Sequence, residues 1–334
     1  MMEYSTFKAV AEKKILDYLP EEFKNAKVEI TPVKKVNKTK DAITIREGES
    51  SRVSPNFYLD DMYEHYQDCG NLDEVFQSVA DAYVATVKNM GNMSIPNVTR
   101  EFVEENVIMV MINTESNEEL LKGVPHREIN DCSVIYRVVF GKDDQGIASA
   151  IVNDNIAATV DLSEQELFLK ATENTKRILP TTIKPMSEVI MEMMIGDGMP
   201  KEIAEAMVSD VASQDELMWV ISNTSGVNGA VNMLYDENLQ KLAEQLQDDL
   251  YILPSSIHEV LCVPAGKGEP EEFAKMVQEV NMNVVDLEDR LSNQVYHYDK
   301  KLRKLTMATD EPNKRIDGIV AEPSLIYDTK EQMR

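Results

Sequence analysis

Cysteine is scarce. Cys69, Cys132 and Cys262 are the only three among 334 residues, an odd number with no CxxC pair. That excludes a disulfide framework and points to a reducing compartment, where such thiols are ordinarily buried as small hydrophobes. Long apolar runs are missing too. The longest, Val107 to Ile112, falls far short of the ~20 residues of a membrane-spanning helix. From Met1 to Leu19 the chain is broken by Glu3, Lys8, Glu12, Lys13 and Lys14, where a secretion signal needs an unbroken apolar stretch. Positive charge is the third shortage, with 34 Lys and Arg against 59 Asp and Glu and a net charge of −25. The expectation is a cytoplasmic protein with no membrane segment.

The acidity belongs to the central body. Residues 1–60 hold 11 basic and 10 acidic side chains, residues 61–298 hold 15 and 42, and residues 299–334 hold 8 and 7. A body this acidic repels a phosphate backbone, so no nucleic-acid partner is expected. Lys34, Lys35, Lys38 and Lys40 flank a turn and read as its solvated rim.

Apolar spacing sketches the elements. Phe7, Val10, Ala11, Ile15 and Leu19 predict a helix stopped by Pro20. Val28–Val36 and Ala42–Ile45 predict a hairpin. Leu72, Val75, Phe76, Val79, Ala80, Tyr83, Val84 and Val87 predict a long helix, capped by Asn71 with Glu74 and ended by Gly91. Strands are expected over Val107–Ile112, Val134–Phe140, Ile147–Val152, Leu217–Ile221, Leu250–Leu253 and Val260–Val263. Further helices begin at Ser163, which forms a capping box with Glu166, and at Pro200, Asp236 and Pro270. Their apolar faces include Ile203, Met207 and Val211 in the second, and Phe273, Met276, Val277 and Val280 in the last. Strands and helices mix without a βαβ alternation, so the fold class is α+β, a mixed or antiparallel sheet packed with several amphipathic helices. Three regions follow: 1–95, a helix, hairpin and helix; 96–307, an α+β core; and 308–334, a mobile tail. Gly91–Asn97 is the boundary between the first two.

Chemical motifs are mostly broken. His258-Glu259 starts an HExxH pattern, but Cys262 stands where the second histidine belongs. On a strand, His258 and Cys262 would sit roughly 13 Å apart, too far for a nucleophile and its base. Ser255 and Ser256 lack a nucleophile elbow. Asn223 to Gly229 has neither P-loop nor GxGxxG spacing, and a structural turn from strand to helix is the stronger reading. His65, His126 and His297 have no partner that the sequence supplies. No metal and no cofactor is expected. Met191, Met193, Met194 and Met199 cluster beside Gly196 and Gly198. Core filling is the preferred reading, and an adaptable docking face the other.

The string Leu250-Tyr251-Ile252-Leu253-Pro254-Ser255-Ser256-Ile257-His258-Glu259-Val260-Leu261 carries a likeness. So do Asn228-Gly229-Ala230 leading to Met233-Leu234-Tyr235, and Val280-Asn281 followed by Leu291-Ser292 and Val295-Tyr296. Together they resemble domain-of-unknown-function family 5688, a group of uncharacterised bacterial proteins. The resemblance is strongest over residues 217–300 and implies no reaction, cofactor or catalytic residue.

Read physically, the same string is a hairpin whose tip holds four side chains that packing does not demand: Ser255, Ser256, His258 and Glu259. These are the catalytic candidates, with Asn223 and Asn228 as ligand-binding neighbours. The leading expectation is a non-catalytic protein that binds a protein partner. The alternatives are an enzyme of unassigned class using residues 254–259, with His258 as acid/base, and lastly an acidic nucleic-acid mimic. The oligomeric state stays open.

Overall fold

A computed structural model describes residues 1–46, 55–92, 97–143, 146–212, 217–310 and Ile316. Two compact units follow one another along the chain, Met1–Asn97 and Val98–Arg334. Residues 93–96 of the expected boundary stretch lie outside the described residues.

In the first unit, helix α1 (Tyr4–Lys14) tightens into a 3-10 turn over Ile15–Tyr18 ahead of Pro20. Strands β1 (Lys27–Lys34) and β2 (Thr39–Arg46) pair antiparallel, and β3 (Asn56–Tyr58) joins β2. Asn37 supplies the left-handed residue of the hairpin turn, at φ 61°. Helix α2 (Leu59–Cys69), which the sequence reading leaves unassigned, ends at Gly70 in the left-handed region. The Asn71 side chain then accepts from the N–H groups of Asp73 and Glu74 and caps α3 (Leu72–Asn92), which runs past Gly91. Phe7, Ala11, Ile15, Ile43, Ile45, Phe76 and Tyr83 fill the core. The lysine turn departs from expectation. Lys40 is only 7% exposed, its ammonium lying over the Tyr58 ring and 2.9 Å from Asp61, because β3 and α2 close over that end of β2.

The second unit holds α4 (Arg100–Asn106), β4 (Val107–Asn113), α5 (Glu118–Leu121), β5 (His126–Ile129), β6 (Cys132–Asp143) and β7 (Gly146–Ile151). There follow α6 (Asp154–Thr159), α7 (Glu164–Ile178), β8 (Thr181–Pro185), α8 (Met186–Gly196), α9 (Lys201–Ala212) and β9 (Trp219–Asn223). The chain continues with α10 (Asp236–Leu246), β10 (Leu250–Leu253), β11 (Val260–Pro264), α11 (Pro270–Asn283), β12 (Tyr296–Asp299) and β13 (Lys304–Met307). Among the described residues every pairing is antiparallel, so three antiparallel sheets with helices make the fold α+β.

In one sheet of this unit β6 is central, with β4 on one edge and β5 and β7 sharing the other. All seven residues of β4 are buried. Its outer edge is closed by α7, where the Thr175 hydroxyl accepts the Met109 N–H at 2.9 Å and Asn174 donates to the Glu104 carbonyl. Helix α7 starts with the full Ser163–Glu166 capping box, and Leu162 and Leu167 beside it are both buried. The other sheet runs β13-β12-β10-β11-β9-β8. A buried network links the two sheets: Asp131, in the β5–β6 turn, accepts from the hydroxyls of Ser292 at 2.6 Å and of Tyr296.

Most of the expected tail lies outside the described residues. Those described are held: the N–H groups of Ala308 and Thr309 donate to the Val295 carbonyl, and buried Ile316 accepts from Arg290 at 2.9 Å.

Candidate functional site

Residues 254–259 connect two paired strands, with Leu253 opposite Leu261. The connection is not a free tip. Its backbone is bound to a neighbouring strand-like segment: Ile257 N–H donates to the Asp289 carbonyl, Leu291 N–H to that of Ser255, and Ser292 N–H to that of Pro254. Ser256 is buried, and its hydroxyl accepts the His258 N–H at 3.0 Å, an arrangement that tightens the turn.

The Asn223–Gly229 loop packs directly on this connection. Asn223 spends its side chain inside its own loop, donating to the Val227 carbonyl and accepting from Ser225 N–H. Asn228 stands at φ 55° and turns the chain so that Gly229 meets the His258 carbonyl. That carbonyl accepts twice, from Gly229 N–H at 2.9 Å and from the Ser222 hydroxyl at 2.8 Å. A Cβ on Gly229 would come within 2.4 Å of both the His258 oxygen and Ser222 Oγ, so the approach admits glycine alone.

The His258 ring is held at both nitrogens. Nδ1 accepts the Asn228 N–H at 3.2 Å, and Nε2 lies 3.1 Å from Asp289 Oδ1. A backbone amide only donates, so Nδ1 must be unprotonated and the proton sits on Nε2, toward the carboxylate. Neither nitrogen is left to face a substrate. The Glu259 carboxyl beside it is half-buried, and that burial pushes its pKa up against the opposing pull of His258 and Ser256.

The structure thus brings Ser256, His258, Glu259, Asn223 and Asn228 into one clasp and half-buries Ser255 next to it. The clasp joins two loops, and its hydrogen-bonding capacity is turned inward. Cys262 lies in the core, where burial pushes its thiol pKa far up and leaves it inert. Neither described cavity, of about 660 Å³ beside Tyr18 and Lys88 and about 430 Å³ beside Met191 and Val208, is lined by any clasp residue.

The methionine segment fits the core-filling expectation only in part: Met191, Met194 and Met199 are half-buried, and Met193 is exposed. No residue of α8 is buried. Met193 is 65% exposed, and Ile190 and Ile195 are exposed as well. On α9, Ile203 is 51% and Met207 50% exposed, while Ala204 is fully buried; the side chain of Val211 lies outside the described residues. The reason is architectural: α8 and α9 pack on each other as a helical hairpin after β8, and only a small contact such as Ala204 is closed off. On α11, similarly, Ala274 and Val277 are buried whereas Met276 and Val280 are exposed.

Between α8 and α9 runs the 430 Å³ groove, floored by Pro185, Met191 and Val208 and rimmed by Glu188, Glu192 and Glu205. Lys184 pairs with Glu188 at 3.3 Å and with Glu192. From Lys184 to Val208 there are five carboxylates and two lysines. The sequence signal was present but ambiguous: α8 is apolar nearly all round, a pattern read as burial by default.

Cys69 also departs from the buried-thiol expectation. It is exposed, whereas Cys132 and Cys262 are buried.

Among known proteins, a family model described as a family of unknown function, DUF5688, matches residues 4–300. No curated protein and no solved structure matches the chain.

Proposed function

The chain belongs to the DUF5688 family, and from its own residues we propose that it is a cytoplasmic, non-catalytic module that binds a protein partner through the α8–α9 hairpin. The observation that carries this reading is the exposure of Met193, Ile203 and Met207 on the two helices whose other residues wall an acid-rimmed groove. Soluble proteins seldom leave large apolar side chains clustered in water without a use for them. Thioethers adapt to varied shapes, which suits a docking floor. No helix among the described residues is long and apolar enough to cross a membrane.

The occupant fitting this face is a cationic amphipathic helix. Its apolar stripe would lie on Met193, Ile203 and Met207. Its lysines and arginines would meet Glu188, Glu192 and Glu205, whose local excess of negative charge Lys184 only partly offsets. An enzyme working from residues 254–259 is less well supported, because His258 would have to surrender a structural hydrogen bond before it could move a proton. A nucleic-acid mimic is least supported, since lysines pair with acids across the α8–α9 face.

The test is fluorescence anisotropy of a labelled leucine- and lysine-based amphipathic helical peptide, titrated with the full chain. A scrambled peptide of equal composition, with no apolar stripe, is the control. Saturable binding of the amphipathic peptide alone, abolished by Met193→Glu with Ile203→Glu, supports the reading. Equal binding of the scrambled peptide, survival of binding in the double variant, or self-association of the chain through this face would overturn it.

A further inference from the structure

Three exposed side chains in the first unit converge where α2 hands over to α3. His65 and Cys69 lie four residues apart on α2, one helical turn, and so share a face. The left-handed Gly70 then reverses the chain, and Asn71 caps the next helix. That reversal places Glu74, in the first turn of α3, against the end of α2. One donor atom from each of His65, Cys69 and Glu74 lies within 4.8 Å of the other two.

We propose that His65, Cys69 and Glu74 form a binding site for a borderline-soft divalent metal ion of the zinc class. Imidazole nitrogen, thiolate sulfur and carboxylate oxygen are the donors that such ions take, whereas magnesium and calcium require oxygen alone. Ligand bonds of roughly 2.0–2.3 Å in a tetrahedron put donors about 3.3–3.7 Å apart. The observed grouping lies within 4.8 Å, so at most roughly 1.5 Å of closure is needed, which exposed side chains reach by rotation about their own bonds.

Sulfur has further support. The Asn71 N–H donates to Cys69 Sγ at 3.4 Å, and the thiol itself donates to the Asn71 carbonyl at 3.6 Å. On binding, the sulfur–metal bond forms as the S–H bond breaks. The thiol proton passes to solvent, its bond to the carbonyl is given up, and the amide donor remains to stabilise the thiolate. Three protein ligands leave one tetrahedral position for water. Nothing in the clasp or on the α8–α9 face takes part, so the site stands independently of the proposed docking function.

The experiment is titration of the full chain with cobalt(II), in the presence of a non-thiol reductant. The expected result is binding of one equivalent, with a thiolate-to-cobalt charge-transfer band in the near ultraviolet and visible bands of four-coordinate intensity. Zinc should erase these bands, and excess magnesium should leave them. Cys69→Ser should abolish the charge-transfer band, because Cys132 and Cys262 are buried and supply none. His65→Ala and Glu74→Ala should each weaken zinc by at least about tenfold, since even partners behind the ligands cost that much. Their melting temperatures without metal should match the parent chain, because all three side chains are exposed. Absence of the band, its persistence in Cys69→Ser, or zinc affinity unchanged in both His65→Ala and Glu74→Ala would overturn the proposal, the last result marking a surface thiol that binds metal alone.

Discussion

The backbone N–H of Asn228 donates to Nδ1 of His258 across 3.2 Å, and this one bond fixes the ring's tautomer. With Nε2–H directed at Asp289, the imidazole bridges two loops instead of waiting for a proton.

Removing the ring should therefore be felt in stability. His258→Ala strands the Asn228 amide in a partly closed site, a loss of about 1–3 kcal/mol. Chemical denaturation followed by circular dichroism measures it, and peptide binding at the α8–α9 face should be unchanged. A variant as stable as the parent would show that the bridge carries no weight.

Gly229→Ala should cost at least as much. Its new methyl meets a backbone carbonyl and the Ser222 backbone, neither of which yields as a flexible side chain does, so the loop must shift. Overpacking of this kind costs about 1–3 kcal/mol, read from the denaturation midpoint. The Ser222-to-His258 hydrogen bond should be lost with it.

Glu259 gives a pH dependence of defined sign. Burial raises its folded-state pKa above the ordinary carboxylate value. The neutral acid's contribution to stability is then fully present below about pH 4.3, the unfolded value, and is lost as the pH rises through the folded value. Glu259→Gln, uncharged throughout, should melt above the parent at pH 7 and converge with it below about pH 4. Melting curves across that range decide it, and a variant less stable at pH 7 would contradict the burial argument.

Local chemistry made much of the fold legible. The Ser163 capping box, the β4 run and the hairpin carrying Asn37 follow from residue types acting on near neighbours. His258 could be named from sequence as a residue not demanded by packing, and Asn223 and Asn228 as its neighbours. What each contacts could not be read, because Asn228 N–H reaches His258 only through the pairing of β9 with β11. The same holds for His65 and Cys69: their spacing is visible on the page, but Glu74 joins them only after the chain turns at Gly70. The exposure of α8 was least accessible. Composition records that a helix is apolar, whereas exposure depends on whether another layer of structure lies over it.

The order β13-β12-β10-β11-β9-β8 also bears on how the molecule tolerates shortening. The hairpin of β10 and β11 sits inside the sheet, and its outer neighbour β12 arrives late in the chain. A nascent or truncated polypeptide ending before Tyr296 would present the flank of Leu250–Leu253 bare, with amides and carbonyls open to another copy. Such a flank templates intermolecular pairing, and in the folded chain β12 covers it.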